Sequence, residues 1–307
     1  MRVLLVSAPA LGHREDEVAA ALRQAGLDVT HGEPGALHGA DFAVIAGPGT
    51  MPVDAALMDS CPGLRGLVSF GIGCEGFDRE AAKARSIAIA TGRTDRSASD
   101  MGSATIALML ALCHDLPAAI TAFARGSRRD IARARTLDDA TVGIIGYGAL
   151  GRDVARRLRA WGVRVLVHGR SLEPGPLADG SESVSLPMLL EVSDVVSLHA
   201  ALAHGDPPII DEAALRRVKP GALLVNTARG GLLDERAVAA ALHSGRLGGA
   251  ALDCFAVEPL PADSALRTAP HTILTPHQIG HTRAGADAMV RRFTDNIIRL
   301  AFAGARP

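Results

Sequence analysis

Apolar residues along the chain follow two spacings that take turns. Short aliphatic runs at 3–7, 28–30, 42–46, 67–70 and 87–90 are separated by longer stretches, such as 15–25, in which apolar positions recur every three to four residues. The runs suit strands covered on both faces and the stretches suit amphipathic crossover helices, so this part predicts a parallel α/β unit. From 99 to about 123 the pattern becomes one long apolar helix with Ser99 or Asp100 as its N-cap. Its apolar excess fits either internal core or a face shared with a second copy, and the latter makes the protein a homodimer.

Residues 125–139 are rich in Arg, Asp and Ser, which predicts a solvated surface connection rather than a basic anchor. A second series then places strands at 141–145, 163–167, 195–198, 223–226, 249–252 and 272–274. Six strands with helices between them predict a doubly wound sheet. After Thr282 an amphipathic helix follows, long enough to leave the second unit and pack on the first.

Length and charge narrow the function. The 307 residues suggest about two domains. Lys and Arg number 32 against 33 Asp and Glu, with no long like-charge run, and aromatic residues are 3%. That leaves neither an electrostatic footprint nor a base-stacking surface for nucleic acid. The most apolar stretch, 104–113, is about half the length a bilayer needs, and the N-terminus lacks a signal-peptide pattern. Cys61, Cys74, Cys113 and Cys254 form no C-x-x-C pair and no zinc spacing. The expectation is a cytoplasmic protein with reduced thiols, no membrane partner and no metal.

Gly146-Tyr147-Gly148-Ala149-Leu150-Gly151 lies between a predicted strand and a predicted helix, the setting a dinucleotide fingerprint requires. Gly146 permits the tight turn, Gly148 lets a pyrophosphate approach the backbone, Gly151 lets helix and strand meet, and the helix N-terminus stabilises the anion. Where NAD enzymes place an acid against the ribose, at the end of the next strand, this chain reads His168-Gly169-Arg170-Ser171. Gly169 leaves space, while Arg170 and Ser171 offer a charged fork and a hydroxyl suited to a 2′-phosphate, so NADP is expected over NAD. The plainer alternative makes Arg170 a solvated loop charge.

Three further segments each follow a predicted strand: Asn226-Thr227-Ala228-Arg229, Asp253-Cys254-Phe255-Ala256-Val257-Glu258-Pro259, and Thr275-Pro276-His277-Gln278-Ile279-Gly280. Ligands of open α/β sheets bind beyond the carboxyl ends of strands, so Arg229, Glu258 and His277 are expected at one site. An imidazole suits proton exchange near neutral pH, a carboxylate partner such as Glu258 favours imidazolium, and the guanidinium of Arg229 suits a carboxylate.

At these residues the sequence resembles the D-isomer-specific 2-hydroxyacid dehydrogenases. The likeness runs through G-Y-G-A-L-G, S-D-V-V-S-L-H-A, P-G-A-L-L-V-N-T-A-R-G-G-L-L-D-E, G-A-A-L-D-C-F-A-V-E-P and T-P-H-Q-I-G, nearly all of 141–280. It extends more weakly to Val68-Ser69-Phe70-Gly71-Ile72-Gly73, which looks like the family's substrate-carboxylate loop. The resemblance implies two doubly wound domains. A Rossmann cofactor domain, 98–282, is inserted in a flavodoxin-like substrate domain, 1–97 and 283–307.

It also implies hydride transfer between NADPH and a small 2-oxo acid, as in glyoxylate and hydroxypyruvate reductases. His277 is then the acid/base, Glu258 its partner and Arg229 the substrate anchor, with the N–H groups of Ile72 and Gly73 on the carboxylate. Ala149 and Leu150 should meet the pyrophosphate, Thr227 and Ala228 should line the cofactor, and Asp253 and Gly280 should lie near the nicotinamide. Ile72-Gly73 read otherwise is a plain tight turn, and Asp253 read otherwise caps the turn after its strand.

Other readings stay open: an NAD-dependent D-2-hydroxyacid dehydrogenase, and a nucleotide-sensing protein like the family's corepressor relative. Glu258 stands where the formate dehydrogenase branch has Gln. A short tail in place of a C-terminal regulatory domain weighs against the longer phosphoglycerate dehydrogenases. Cys74 beside the Ile72 loop reads as a small packed hydrophobe, and the sole tryptophan, Trp161, as a packing residue.

Overall fold

The computed structural model describes residues 1–7, 11–32, 42–128, 130, 134–202 and 205–303. Residues 129 and 131–133 of the expected surface connection lie outside them. The chain divides into two compact units, Met1–Ser97 with Thr282–Pro307, and Ala98–His281. Thr282, expected in the second, goes with the first because its hydroxyl accepts from Gly285 N at 2.9 Å and caps the last helix.

The first unit contains β1 (Arg2–Leu5), α1 (Glu15–Gln24), β2 (Asp28–His31), β3 (Val44–Gly47), α2 (Ala55–Asp59), β4 (Gly66–Ser69), α3 (Arg79–Ala84) and β5 (Ala88–Thr91). All five strands pair in parallel, in the order β2-β1-β3-β4-β5. That is the flavodoxin-like order. Successive side chains in a strand face opposite ways, which splits the core in two. Leu4, Ile45 and Leu67 meet Met58, Phe77 and Ala82 on one face, whereas Val3, Leu5, Val44 and Val68 meet Val18 and Leu22 on the other. The C-terminal helix packs on that second face.

In the second unit α4 (Ser97–Cys113) starts two residues before Ser99, so neither Ser99 nor Asp100 is its N-cap. The single helix expected to 123 is two: α5 (Leu116–Ala124) departs from α4 by 61°. Between them Asp115 takes a left-handed φ of 47°, and Pro117 sits in the first turn of α5, where its missing N–H and fixed φ do no harm that they would do inside a continuous helix. The two pieces differ in environment. Ile106, Leu108, Met109 and Leu112 of α4 are buried, while α5 buries nothing and exposes Leu116, Ile120 and Phe123. No single helix among the described residues is long and apolar enough to cross a membrane.

The sheet of this unit is built from β6 (Thr141–Ile145), β7 (Arg164–His168), β8 (Gly175–Pro176), β9 (Glu182–Ser183), β10 (Val195–Leu198), β11 (Ala222–Asn226), β12 (Leu247–Leu252) and β13 (Thr272–Leu274). It has eight strands where six were expected, because β8 and β9 are two residues each and carry no aliphatic run. The order is β13-β12-β11-β10-β6-β7-β9-β8, with β8 antiparallel. Its middle, β9-β7-β6-β10-β11-β12, is the 3-2-1-4-5-6 order of a Rossmann fold, with the topological switch between β6 and β10. Helices α4 and α6 (Ala149–Ala160) cover one face, and α7 (Leu186–Val192), α8 (Glu212–Arg217) and α9 (Glu235–His243) the other. The chain closes with α10 (Arg283–Ala301) in the first unit. Trp161, expected to pack, is the C-cap of α6 and is 50% exposed.

Candidate active site

The glycine loop joins β6 to α6 at the switch point. Gly146 has φ +99°, and a Cβ on it would overlap the Ala200 nitrogen; one on Gly151 would overlap the Gly146 carbonyl oxygen. Both glycines are therefore required by the fold alone. Gly148 is different: a Cβ there meets nothing within 4 Å. It is the N-cap of α6 and supplies no side-chain acceptor, and the first turn of α6, which holds Ala149, Leu150 and Gly151, has no acidic residue. By contrast Asp54, Asp78, Ser185, Asp211, Asp234 and Thr282 each cap their own helix. The N-terminus of α6 is thus left bare, open in front of Gly148 and electropositive, which fits a pyrophosphate.

At the end of β7, His168 Nδ1 lies 3.1 Å from the Val184 carbonyl oxygen. Gly169 follows, packed close to Leu172, and Arg170 and Ser171 are exposed. No carboxylate stands in this turn.

Beyond β11, the Asn226 side chain folds the next turn back on itself. Its Oδ1 accepts from Ala228 N at 3.0 Å and its Nδ2 donates to the Arg229 carbonyl at 2.8 Å. Arg229 Nη1 donates to the Ala228 carbonyl at 2.7 Å. Thr227 is buried, with its hydroxyl 3.0 Å from that of Thr105 on α4. A Cβ on Gly230 would overlap the Phe255 carbonyl carbon, so Arg229 is brought directly against the segment that carries Glu258.

His277 sits in the turn after β13 with φ 56°, its N–H donating to the Thr275 carbonyl at 3.0 Å. Its Nδ1 is 2.9 Å from both carboxylate oxygens of Glu258, and Glu258 Oε1 also accepts from Phe255 N at 2.9 Å. The ring is thus oriented from its Nδ1 side.

Asp253, fully buried, organises the turn. Its Oδ1 accepts from Thr275 Oγ1 at 2.6 Å, Gln278 N at 3.0 Å and Ile279 N at 3.2 Å. Its Oδ2 is buried without a partner, an acceptor suited to an amide donor such as a carboxamide. Asp253 therefore holds the His277 turn rather than only the turn after β12. Burial lowers the pKa of the adjacent His281, with Asp253 opposing that and His277 adding to it. Gly280 packs on Met101, where a Cβ would come within 2.6 Å of its Cε.

In the first unit the Ile72 loop follows β4. Ser69 Oγ donates to the Gly73 carbonyl at 2.6 Å and Gly92 N to the Gly71 carbonyl at 2.9 Å, while the Ile72 side chain is exposed. Cys74 packs against this unit's core. Among the described residues no group of three or more His, Cys, Asp or Glu could hold a metal ion. Sequence reasoning missed Thr105, His199 behind the glycine loop, and Asp179, which receives a hydrogen bond from Tyr147. Only Asp179 carried a signal, the Asp-Gly pair of a hairpin turn.

Comparison with known proteins agrees with this fold. Residues 106–278 match the family model described as D-isomer specific 2-hydroxyacid dehydrogenase, NAD binding domain. The chain is 37% identical over 255 residues to (S)-sulfolactate dehydrogenase of Chromohalobacter salexigens, covering 80% of this chain and 81% of that one. It is 35% identical over 256 residues to D-3-phosphoglycerate dehydrogenase of Mycobacterium tuberculosis, covering 82% of this chain but 48% of that one. A crystal structure of a glyoxylate reductase from Paecilomyes thermophila superposes with a TM-score of 0.85 at 28% identity, over 99% of this chain and 96% of that one. A Rossmann sheet order agrees with this match over more than half of the sequence, and the chain belongs to the D-isomer-specific 2-hydroxyacid dehydrogenases, oxidoreductases acting on CH–OH groups.

Proposed function

We propose that the chain is an NADPH-preferring reductase that converts small 2-oxo acids to D-2-hydroxy acids, with glyoxylate or hydroxypyruvate as substrate. The observation that carries the reading is the His277 Nδ1 flanked by both Glu258 oxygens at 2.9 Å. The exposed Arg170 and Ser171, in a turn without a carboxylate, support the cofactor preference.

A bound nicotinamide supplies hydride to C2. Glu258 holds the protonated imidazole through Nδ1, and His277 delivers the Nε2 proton to the oxygen that becomes the hydroxyl. Arg229 pairs with the substrate carboxylate and polarises the 2-oxo group. Asp253 keeps the His277 turn in place by its three accepted hydrogen bonds. In the first unit, the Ile72 and Gly73 N–H groups offer an anion nest. Four free cysteines accord with a cytoplasmic setting, and the apolar face of α5, with Leu116, Ile120 and Phe123 at 46%, 61% and 87% exposure, is the surface through which two copies would join.

Initial rates with NADPH and NADH test this against glyoxylate, hydroxypyruvate, pyruvate and phenylpyruvate, extended to 3-sulfo and 3-phospho analogues by the relatives' names. His277→Ala controls for contaminating activity. NADPH-favoured turnover that Arg170→Ala evens out is the expected result. Faster turnover with NADH overturns the cofactor assignment, and nucleotide binding without turnover on any acid overturns the reductase in favour of a sensor.

A further inference from the structure

Tyr147, the sole tyrosine of the chain, stands between the first two glycines of the loop. Its ring packs partly buried against the core beneath α6, and the Arg152 guanidinium lies over it, 5.2 Å from the centroid. Arg152 Nε also donates to the Tyr147 carbonyl at 3.1 Å. The phenol hydroxyl donates to Asp179 Oδ2, in the turn of the β8–β9 hairpin. Asp179 accepts in addition from Ser181 N at 3.0 Å and Ser181 Oγ at 3.3 Å, and the turn is closed by Leu177 N donating to the Ser181 carbonyl at 2.8 Å. At its other end the hairpin is joined to β7: Val184 N donates to the Val167 carbonyl at 2.9 Å, and the Val184 carbonyl lies 3.1 Å from His168 Nδ1. One short hairpin thus touches both the glycine loop and the turn that carries Arg170.

We propose that Tyr147 and Asp179 are positioning residues for the nicotinamide nucleotide: their hydrogen bond braces the glycine loop against the 175–184 hairpin and so couples the pyrophosphate-binding loop to the turn facing the adenosine ribose. The proposal rests on the glycine loop being the nucleotide site. A phenylalanine would fill the same core volume, so packing alone does not call for the hydroxyl, and the carboxylate it meets is held in place by two further donors. Burial and then the Asp179 carboxylate hold the phenol above its ordinary 10.0, whereas Asp179 stays below its ordinary 3.8 because its donors outweigh burial.

The test uses Tyr147→Phe, Asp179→Ala and the double variant in the full chain, with Kd for NADPH and NADH by titration and kcat at saturating nucleotide. Each single change is expected to raise the NADPH Kd about tenfold with kcat held within about twofold, and the double to be no worse than either. Because there is a single tyrosine, ultraviolet titration reports its ionisation directly, and Asp179→Ala moves it down toward 10.0. Wild-type affinity weakens at alkaline pH as the phenol ionises, and Tyr147→Phe lacks that limb. Unchanged affinity in Tyr147→Phe, additive losses in the double, or a phenol indifferent to Asp179→Ala overturns the proposal. A wild-type chain that binds neither nucleotide overturns the glycine-loop reading itself, and this proposal with it.

Discussion

His199 offers a stability test that needs no ligand. Its N–H donates to the Ile145 carbonyl at 2.7 Å, which locks it behind the glycine loop. Its Nε2 is 2.9 Å from Ser197 Oγ, and although the residue is only partly covered, Nδ1 is buried with no partner. A second ring proton would be a sealed donor without an acceptor, so burial pushes the pKa from 6.5 to about 4. The unfolded chain takes up this proton near pH 6.5 while the folded chain refuses it until about pH 4. Stability from this residue is therefore complete above 6.5, falls with pH through that window and levels off below about 4. At about 1.4 kcal/mol per tenfold in the proton equilibrium, the loss reaches about 3 kcal/mol at the lower end.

His199→Gln keeps a partner for Ser197 and removes the titration. The assay is urea unfolding at a series of pH values, followed by Trp161, the sole tryptophan and a reporter of the second unit. Carboxylates titrate in both proteins, so the difference between the curves isolates the imidazole. The wild type should lose about 3 kcal/mol more than the variant between about pH 7 and about pH 4. Parallel curves would refute the reasoning.

Three more predictions concern the loops and α5. Gly148→Ala meets open space and should leave thermal stability intact while weakening NADPH binding about tenfold, whereas Gly151→Ala should cost about 1–3 kcal/mol in a denaturant melt; equal stability of the two would count against it. Asp253→Ala frees Thr275, Gln278 and Ile279 from their shared acceptor, so kcat should drop by about tenfold or more through a displaced His277, and a steady-state kcat equal to wild type would deny that role. Phe123→Glu should turn the proposed homodimer into a monomer in sedimentation, and a dimer that survives the change does not use the α5 face.

What the sequence made legible was whatever depends on near neighbours. β6, the glycine loop and α6 are contiguous, and each supports the reading of the other two. Strand β9 was invisible because two residues become a strand only when β7 lies beside them. The break at Asp115 had its signal in Pro117, but a long apolar run outweighed it, and burial of α4 against exposure of α5 cannot be told from composition. His277 and Glu258 could be expected at one site from their positions after strands and were paired through the family resemblance and their chemistry, whereas the work of Asp253 on the His277 turn, and of Asp179 on Tyr147, depends on loops that only the folded sheet brings together.

The composition of the first unit sets an order of events during synthesis. Phe293, Ile297 and Leu300 of α10 are buried on its sheet, Phe293 meets Phe70 edge-on at 5.5 Å, and Gly66 leaves room for Leu300. As the ribosome works from the N-terminus, the strands that emerge first wait with one face uncovered while the whole second unit is made and completes its own core. The oldest part of the chain is thus finished last, and its exposed sheet face is the one that a nascent-chain chaperone would have to shield.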